Sequence, residues 1–151
     1  MMSTLPSLGF AGVGLMGLPM CKRLLAAGFP LTVWNRNPAK CAPLVQAGAR
    51  QVATPAELCQ HADVVMLCLA DTPIVREVVF GAAGIVEGAK SGQLRVDFSS
   101  LEPTATREMA SELVSKTGMG WLDAPVSGGV VGAEAGSLAI MVGGEAAALD
   151  R

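Results

Sequence analysis

The sequence predicts an α/β fold: a doubly wound, mainly parallel sheet with helices on both faces. Three observations carry that prediction. Short apolar runs alternate along the chain with segments of helical periodicity, the pattern of βαβ units. The composition is aliphatic and glycine-rich, with 51% hydrophobic residues, 18 glycines, 4 Phe, 2 Trp and no Tyr. Finally, 151 residues make one domain that can bury roughly 70% of its unfolded surface.

The predicted strands are Leu8 to Ala11, Leu31 to Trp34, Val64 to Leu69, Leu94 to Phe98, Trp121 to Leu122 and Leu138 to Val142. Between them stand helix signals. Met20 to Ala27 reads as a helix stopped by Gly28. Asn37-Pro38 reads as an N-cap with proline at the first helical position, and Gly48 ends that segment. Thr54-Pro55-Ala56-Glu57 is a capping-box start. The helix that opens near Pro103 puts Ala105, Met109, Ala110, Leu113 and Val114 on one face and ends at Gly118. No repeat, low-complexity tract or linker divides the chain.

Composition and charge exclude several classes. Charged residues are 16%, and 11 Lys+Arg against 13 Asp+Glu leave −2, which rules out a polyelectrolyte, disordered or coiled-coil chain. A pI near 5.3 with scattered Lys and Arg offers no footprint for nucleic acid. Cys21, Cys41, Cys59 and Cys68 form no C-x-x-C pair and His61 is the only imidazole, so a zinc site lacks both spacing and ligands. Reduced thiols in a cytoplasm are expected. The uncharged run from Met1 to Cys21 is broken by Pro6, Pro19 and four glycines with no Lys or Arg before it, so neither a membrane helix nor an export signal is expected.

The strongest chemical signal is Gly12-Val13-Gly14-Leu15-Met16-Gly17, a G-x-G-x-x-G between an apolar strand and a helix. Strand, glycines, helix and second strand fit within residues 8 to 35, the span of a dinucleotide-binding βαβ unit. Gly12 permits the tight turn, Gly14 lets a pyrophosphate reach the backbone, and Gly17 lets the helix pack on the strand. The helix terminus favours the phosphate charge. After the second strand, Trp34-Asn35-Arg36-Asn37 lacks the Asp or Glu that would accept from a ribose 2′-hydroxyl and repel a 2′-phosphate. Arg36 offers a permanently charged fork suited to phosphate and Asn35 brings donors without negative charge, so NADP(H) is favoured and NAD(H) also admitted.

Two more strand ends point at the same crevice. Leu69-Ala70-Asp71-Thr72-Pro73 and Asp97-Phe98-Ser99-Ser100 either line a nicotinamide ribose or let Thr72 and Ser99 or Ser100 cap the next helices. Asp97 and Asp123, if buried, need partners, and their spacing does not make them an acid/base pair. Asp123-Ala124-Pro125-Val126-Ser127-Gly128-Gly129 sets a proline, a hydroxyl and two bare residues in a row. It reads either as a plain turn or as a small nest for a substrate carboxylate. No G-x-S-x-G elbow surrounds Ser127, so it is no hydrolase nucleophile.

Gly9-Phe10-Ala11-Gly12-Val13-Gly14-Leu15-Met16-Gly17-Leu18-Pro19-Met20 resembles the opening fingerprint of the β-hydroxyacid dehydrogenases, the group of 3-hydroxyisobutyrate dehydrogenase, tartronate semialdehyde reductase and 6-phosphogluconate dehydrogenase. Residues 123 to 129 resemble that family's substrate-binding motif, and residues 136 to 144 the strand after it. The resemblance implies a Rossmann-type domain and hydride transfer between a nicotinamide and a small 3-hydroxy acid or its semialdehyde. Carried over, Gly12, Gly14, Leu15, Met16, Gly17, Asn35, Arg36, Leu69, Ala70, Thr72 and Ser99 or Ser100 contact the cofactor. Ser127, Gly128 and Gly129 hold a small substrate that carries a carboxylate.

The family's general acid/base is a lysine in a G-x-x-x-K context with an Asn four residues later, and Lys22, Lys40, Lys90 and Lys116 lie in none of it. They read as solvated. The expectation is therefore that residues 1–151 are one dinucleotide-binding domain cut before the family's helical C-terminal domain, inactive alone, with a homo-oligomer expected of the full-length enzyme. No catalytic residue, metal, nucleic-acid partner or membrane partner is expected in it. The alternatives are a non-catalytic dinucleotide-binding or sensing module, and an imine reductase, whose pattern lacks the Ser-Gly-Gly turn.

Overall fold

A computed structural model describes residues 5–150; Met1 to Thr4, where the uncharged run begins, and Arg151 lie outside the described residues. Six strands, β1 (Leu8–Ala11), β2 (Leu31–Trp34), β3 (Arg50–Gln51), β4 (Val64–Leu67), β5 (Leu94–Asp97) and β6 (Gly120–Asp123), form one parallel sheet in the order β3-β2-β1-β4-β5-β6. The order reverses between β1 and β4, so the carboxyl end of β1 opens onto the switch point where α/β sheets bind ligands. This is the Rossmann-type sheet that the sequence predicted.

Helices α1 (Gly17–Ala26) and α2 (Ala42–Gln46) cover one face. Phe10, Cys21, Leu31, Val33 and Leu44 make up the core beneath them. On the other face, α3 (Pro55–His61), α4 (Thr72–Phe80), α5 (Ile85–Gly88) and α6 (Pro103–Thr117) enclose Leu58, Val65, Leu67, Val75, Val79, Ile85, Met109 and Leu113. Burying both faces is what allows the strands to be nearly continuous in apolar residues. A short unit follows: β7 (Val126–Ser127), α7 (Gly129–Ala135), β8 (Ala139–Ile140) and α8 (Ala146–Leu149). Among the described residues no helix is long and apolar enough to cross a membrane.

The structure amends the predicted elements at several points. β4 ends at Leu67 because the chain turns once Leu69 N–H goes to Ser99 Oγ (2.8 Å), and β5 ends at Asp97 because Ser99 N–H turns back to Asp97 Oδ1 (2.8 Å). The run Leu138 to Val142 does not join the main sheet: Ala139–Ile140 pairs antiparallel with β7, and Gly143 bridges Asp123. β3, only two exposed residues long, had no apolar signal. The first helix starts at Gly17, not Met20, and ends with Gly28 at φ +90°. The Asn37-Pro38 start opens a 3-10 helix (Pro38–Cys41) before α2, with Asn37 Oδ1 accepting from Ala39 N–H.

Thr54 caps α3 as expected, although the return bond from Glu57 reaches Ala53 N–H rather than that of Thr54. On α6 the buried stripe is Thr106, Met109 and Leu113, and Val114, expected on that face, is half exposed. Thr106 can be buried because its hydroxyl donates to Glu102 O.

A charge lies inside the apolar run of β5. Arg95 is wholly buried and donates to Asp97, while its guanidinium lies 3.1 Å from the centre of the Trp121 ring. Register explains the grouping: Arg95 pairs with Trp121 and Asp97 with Asp123, so all four side chains share one face of the sheet. Burial lowers the Arg95 pKa to about 10, opposed by Asp97 and Asp123. Burial, and then Asp97, raise the Asp123 carboxyl, with Arg95 opposing.

Two outcomes are expected. Gly17→Ala should lower the unfolding free energy by about 1–3 kcal/mol, read as a lower urea midpoint, since the added methyl would overpack against the backbone of Gly12. A carboxyl raised in the folded state contributes stability below its unfolded pKa that is lost as pH rises through the folded value. Asp123→Asn should therefore melt above the wild type at pH 7, and the difference should shrink as the pH falls below the ordinary carboxylate range. A gap that widens on acidification would contradict this.

Candidate functional site

The glycine loop sits at the carboxyl end of β1, and each glycine does something different there. Gly12 has φ +104°, and a Cβ on it would lie 2.2 Å from Cys68 O. A Cβ on Gly17 would lie 1.8 Å from Gly12 O, so α1 can start against the strand only without a side chain. At Gly14 an added Cβ would meet nothing within 4 Å. Neither turn nor packing explains that third glycine, whereas a group approaching the backbone from outside would. No side chain caps α1, and such a helix start favours an anion.

The loop is tied to β2 by main-chain and side-chain bonds. Gly12 N–H donates to Trp34 O (3.0 Å) and Val13 N–H to Asn35 Oδ1 (2.8 Å), while Asn35 Nδ2 donates to Asn37 O (2.9 Å). Asn35 Oδ1 thus holds the glycine loop, while one Nδ2 hydrogen goes to the turn that follows β2. Arg36 projects from the same strand end and pairs with Glu77 of α4 at 3.0 Å. Leu15 is 83% exposed at the apex of the loop, and Met16 is half-buried just ahead of α1.

Across the crevice, the ends of β4 and β5 are linked. Ser99 is buried and its hydroxyl accepts from Leu69 N–H, which leaves Ser100 the exposed member of the pair. Thr72 Oγ1 accepts from Glu102 N–H (3.2 Å). The capping alternative for these hydroxyls is overturned. Asp71 caps α4 through Ile74 N–H (3.1 Å), and Glu102 caps α6 through Thr104 N–H (3.0 Å) and Ala105 N–H (2.7 Å). Those two N–H groups lower the Glu102 carboxyl pKa. Ala70 and Ser100 are exposed and Thr72 is half-buried.

The second motif forms a turn between β7 and α7, with Gly128 at φ +132° and Gly129 at φ +61°, both in the region open to glycine. Ser127, Gly128 and Gly129 are all exposed. Helix α7 packs on α1, where Arg23 Nη1 donates to Glu134 O (3.4 Å), so the turn is carried to the side of the glycine loop. Val130 and Glu134 of α7 line a groove of about 610 Å³ together with Gly14, Leu15, Lys22 and Lys40. Lys22 and Lys40 are exposed as expected, and the structure adds that they stand in this groove. The four cysteines are free; burial raises their thiols, Cys59 and Cys68 to about 11.

Sequence reasoning missed Glu77 and Glu102. Glu102 carried a readable signal, an acidic residue directly before Pro103 at a helix start. Glu77 carried none, since its place beside Arg36 comes from two elements 41 residues apart.

Comparison with known proteins agrees with this geometry. The chain is 40% identical over 143 residues to the mitochondrial 3-hydroxyisobutyrate dehydrogenase of Mus musculus (95% of this chain, 42% of that protein). It is 41% identical over 144 residues to 2-hydroxy-3-oxopropionate reductase of Escherichia coli (95% and 49%). It therefore spans less than half the length of these curated relatives. Among solved structures, 3-hydroxyisobutyrate dehydrogenase of Mycobacterium tuberculosis with L-serine matches at TM-score 0.90 and 34% identity (98% of this chain, 50% of that one). Psf3 in complex with NADP+ and 2-OPP matches at 0.89 and 32% (95% and 50%). An imine reductase from Pseudomonas sp. matches at 0.77 and 26% (84% and 43%). The model for the NAD binding domain of 6-phosphogluconate dehydrogenase matches residues 7–151, and with the glycine loop built as described, the chain belongs to that family.

Proposed function

We propose that this chain is the nicotinamide-dinucleotide-binding part of an oxidoreductase acting on a small 3-hydroxy acid or its semialdehyde, with NADP(H) the favoured cofactor. The observation that carries the reading is Gly14, bare and open beside a helix start whose other two glycines are accounted for by turn and packing. The residues fit the group: Gly12, Gly14, Leu15, Met16 and Gly17 would hold the diphosphate. Arg36, just past the end of β2, would meet the adenosine ribose. Leu69, Ala70, Thr72 and Ser99 or Ser100 would line the nicotinamide ribose, Ser99 chiefly by holding Leu69. When bound, the nicotinamide supplies the centre that gives or accepts the hydride.

The Ser127 hydroxyl and the backbone N–H groups at Gly128 and Gly129 would bind and orient the substrate carboxylate. This turn favours a hydroxy acid over the imine alternative, which has no carboxylate to hold. Proton transfer at the substrate oxygen is assigned to no residue of the chain, because none of its lysines lies in the G-x-x-x-K context. Relatives of about twice this length support the view that the chain acts as one domain of a larger enzyme.

Titration of NADPH and NADH against the intrinsic fluorescence of Trp34 and Trp121 should give tighter NADPH binding. Arg36→Glu should reverse the preference, by about 1–3 kcal/mol, as expected for charged hydrogen bonds. Equal binding of the two nucleotides by the wild type would remove Arg36 from this role. In an enzyme carrying this domain, Ser127→Ala should raise KM for a carboxylate-bearing substrate about tenfold, with little change for an uncharged aldehyde, as expected for loss of one hydrogen bond to a charged group.

A further inference from the structure

We propose that Glu77 sets how strongly the crevice discriminates a 2′-phosphorylated from an unphosphorylated adenosine ribose, by competing for the guanidinium of Arg36. The proposal rests on the cofactor reading above and deepens it. Arg36 follows β2 and Glu77 lies on the helix that follows β4, the two strands that flank β1. Their contact, Arg36 Nη2 to Glu77 Oε2 at 3.0 Å, thus reaches from one wall of the crevice to the other past the end of β1.

Among the described residues neither partner makes another ion pair, and the neighbouring Arg76 is engaged by Glu112 at 3.5 Å and lies over the Phe80 ring. The side chains are 65% and 69% exposed, so packing locks neither of them and the pair opens readily. One fork cannot give its full set of donors to two anions at once. A 2′-phosphate must therefore share or displace Glu77, and it meets a like charge if Glu77 stays. A 2′-hydroxyl, being neutral, meets no such competition. Glu77 thus restrains the preference that Arg36 creates.

The test is titration of NADPH and NADH, separately, against wild type, Glu77→Gln, Arg36→Met and the double variant, read by tryptophan fluorescence with the thermal midpoint as a folding control. Glu77→Gln should tighten NADPH about two- to fivefold, the scale of an exposed ion pair, and leave NADH essentially unchanged. The gain should vanish in the Arg36→Met background and shrink at about 1 M salt, where the Debye length falls to about 3 Å. Weaker or unchanged NADPH binding by Glu77→Gln, or an equal change for both nucleotides, overturns the proposal while leaving the cofactor reading in place. A wild-type chain that binds neither nucleotide overturns both.

Discussion

The structure depends on one close approach, the seating of α1 against the end of β1. Gly12 turns left-handed and its carbonyl meets the Cα of Gly17 so tightly that a single methyl there would collide with backbone. This contact aims the start of the helix at the crevice, and the second strand then secures the loop through Trp34 and Asn35. Had either glycine carried a side chain, the helix would start farther out and its N–H groups would point past the switch point of the sheet. The openness at Gly14 has meaning only because the other two glycines are so confined.

The far wall of the crevice is held by polar groups arranged in sequence. Arg95 is bonded to Asp97, Asp97 receives Ser99 N–H, and the Ser99 hydroxyl receives Leu69 N–H, so a buried charge on β5 helps to shape the loop after β4. Asp97 O also accepts from Ala124 N–H, at the start of the segment that leads to Ser127. An unpaired charge at such a depth would be costly. The stacked Trp121 and the paired Asp97 carboxylate are what make it tolerable. The loops after β4 and β5 and the Ser127 segment thereby share one buried anchor.

The parts of the fold that were legible in the sequence are those written in local patterns. β1 and β2 run as their apolar residues indicated, Thr54 and Asn37 cap as expected, and Gly28, Gly48 and Gly118 close helices in left-handed conformations. Strand ends were less legible, because β4 and β5 stop where a neighbouring loop takes their next N–H group. The run before Gly143 read as a sheet strand because alternation and apolarity do not name a partner, and in the structure it pairs with Val126 and Ser127 instead.

The sequence by itself determined the layered α/β class, the glycine loop and the absence of an acidic residue after the second strand, because turn geometry, helix stops and charge are properties of consecutive residues. Tertiary structure alone decided that Asn35 holds the loop, that Ser99 is an internal tie and that Glu77 faces Arg36. Those outcomes turn on hydrogen bonds and charges that meet across distant strands. A side chain with several possible partners takes the one that the packed sheet brings within 3 Å or so, and spacing along the chain does not encode that distance.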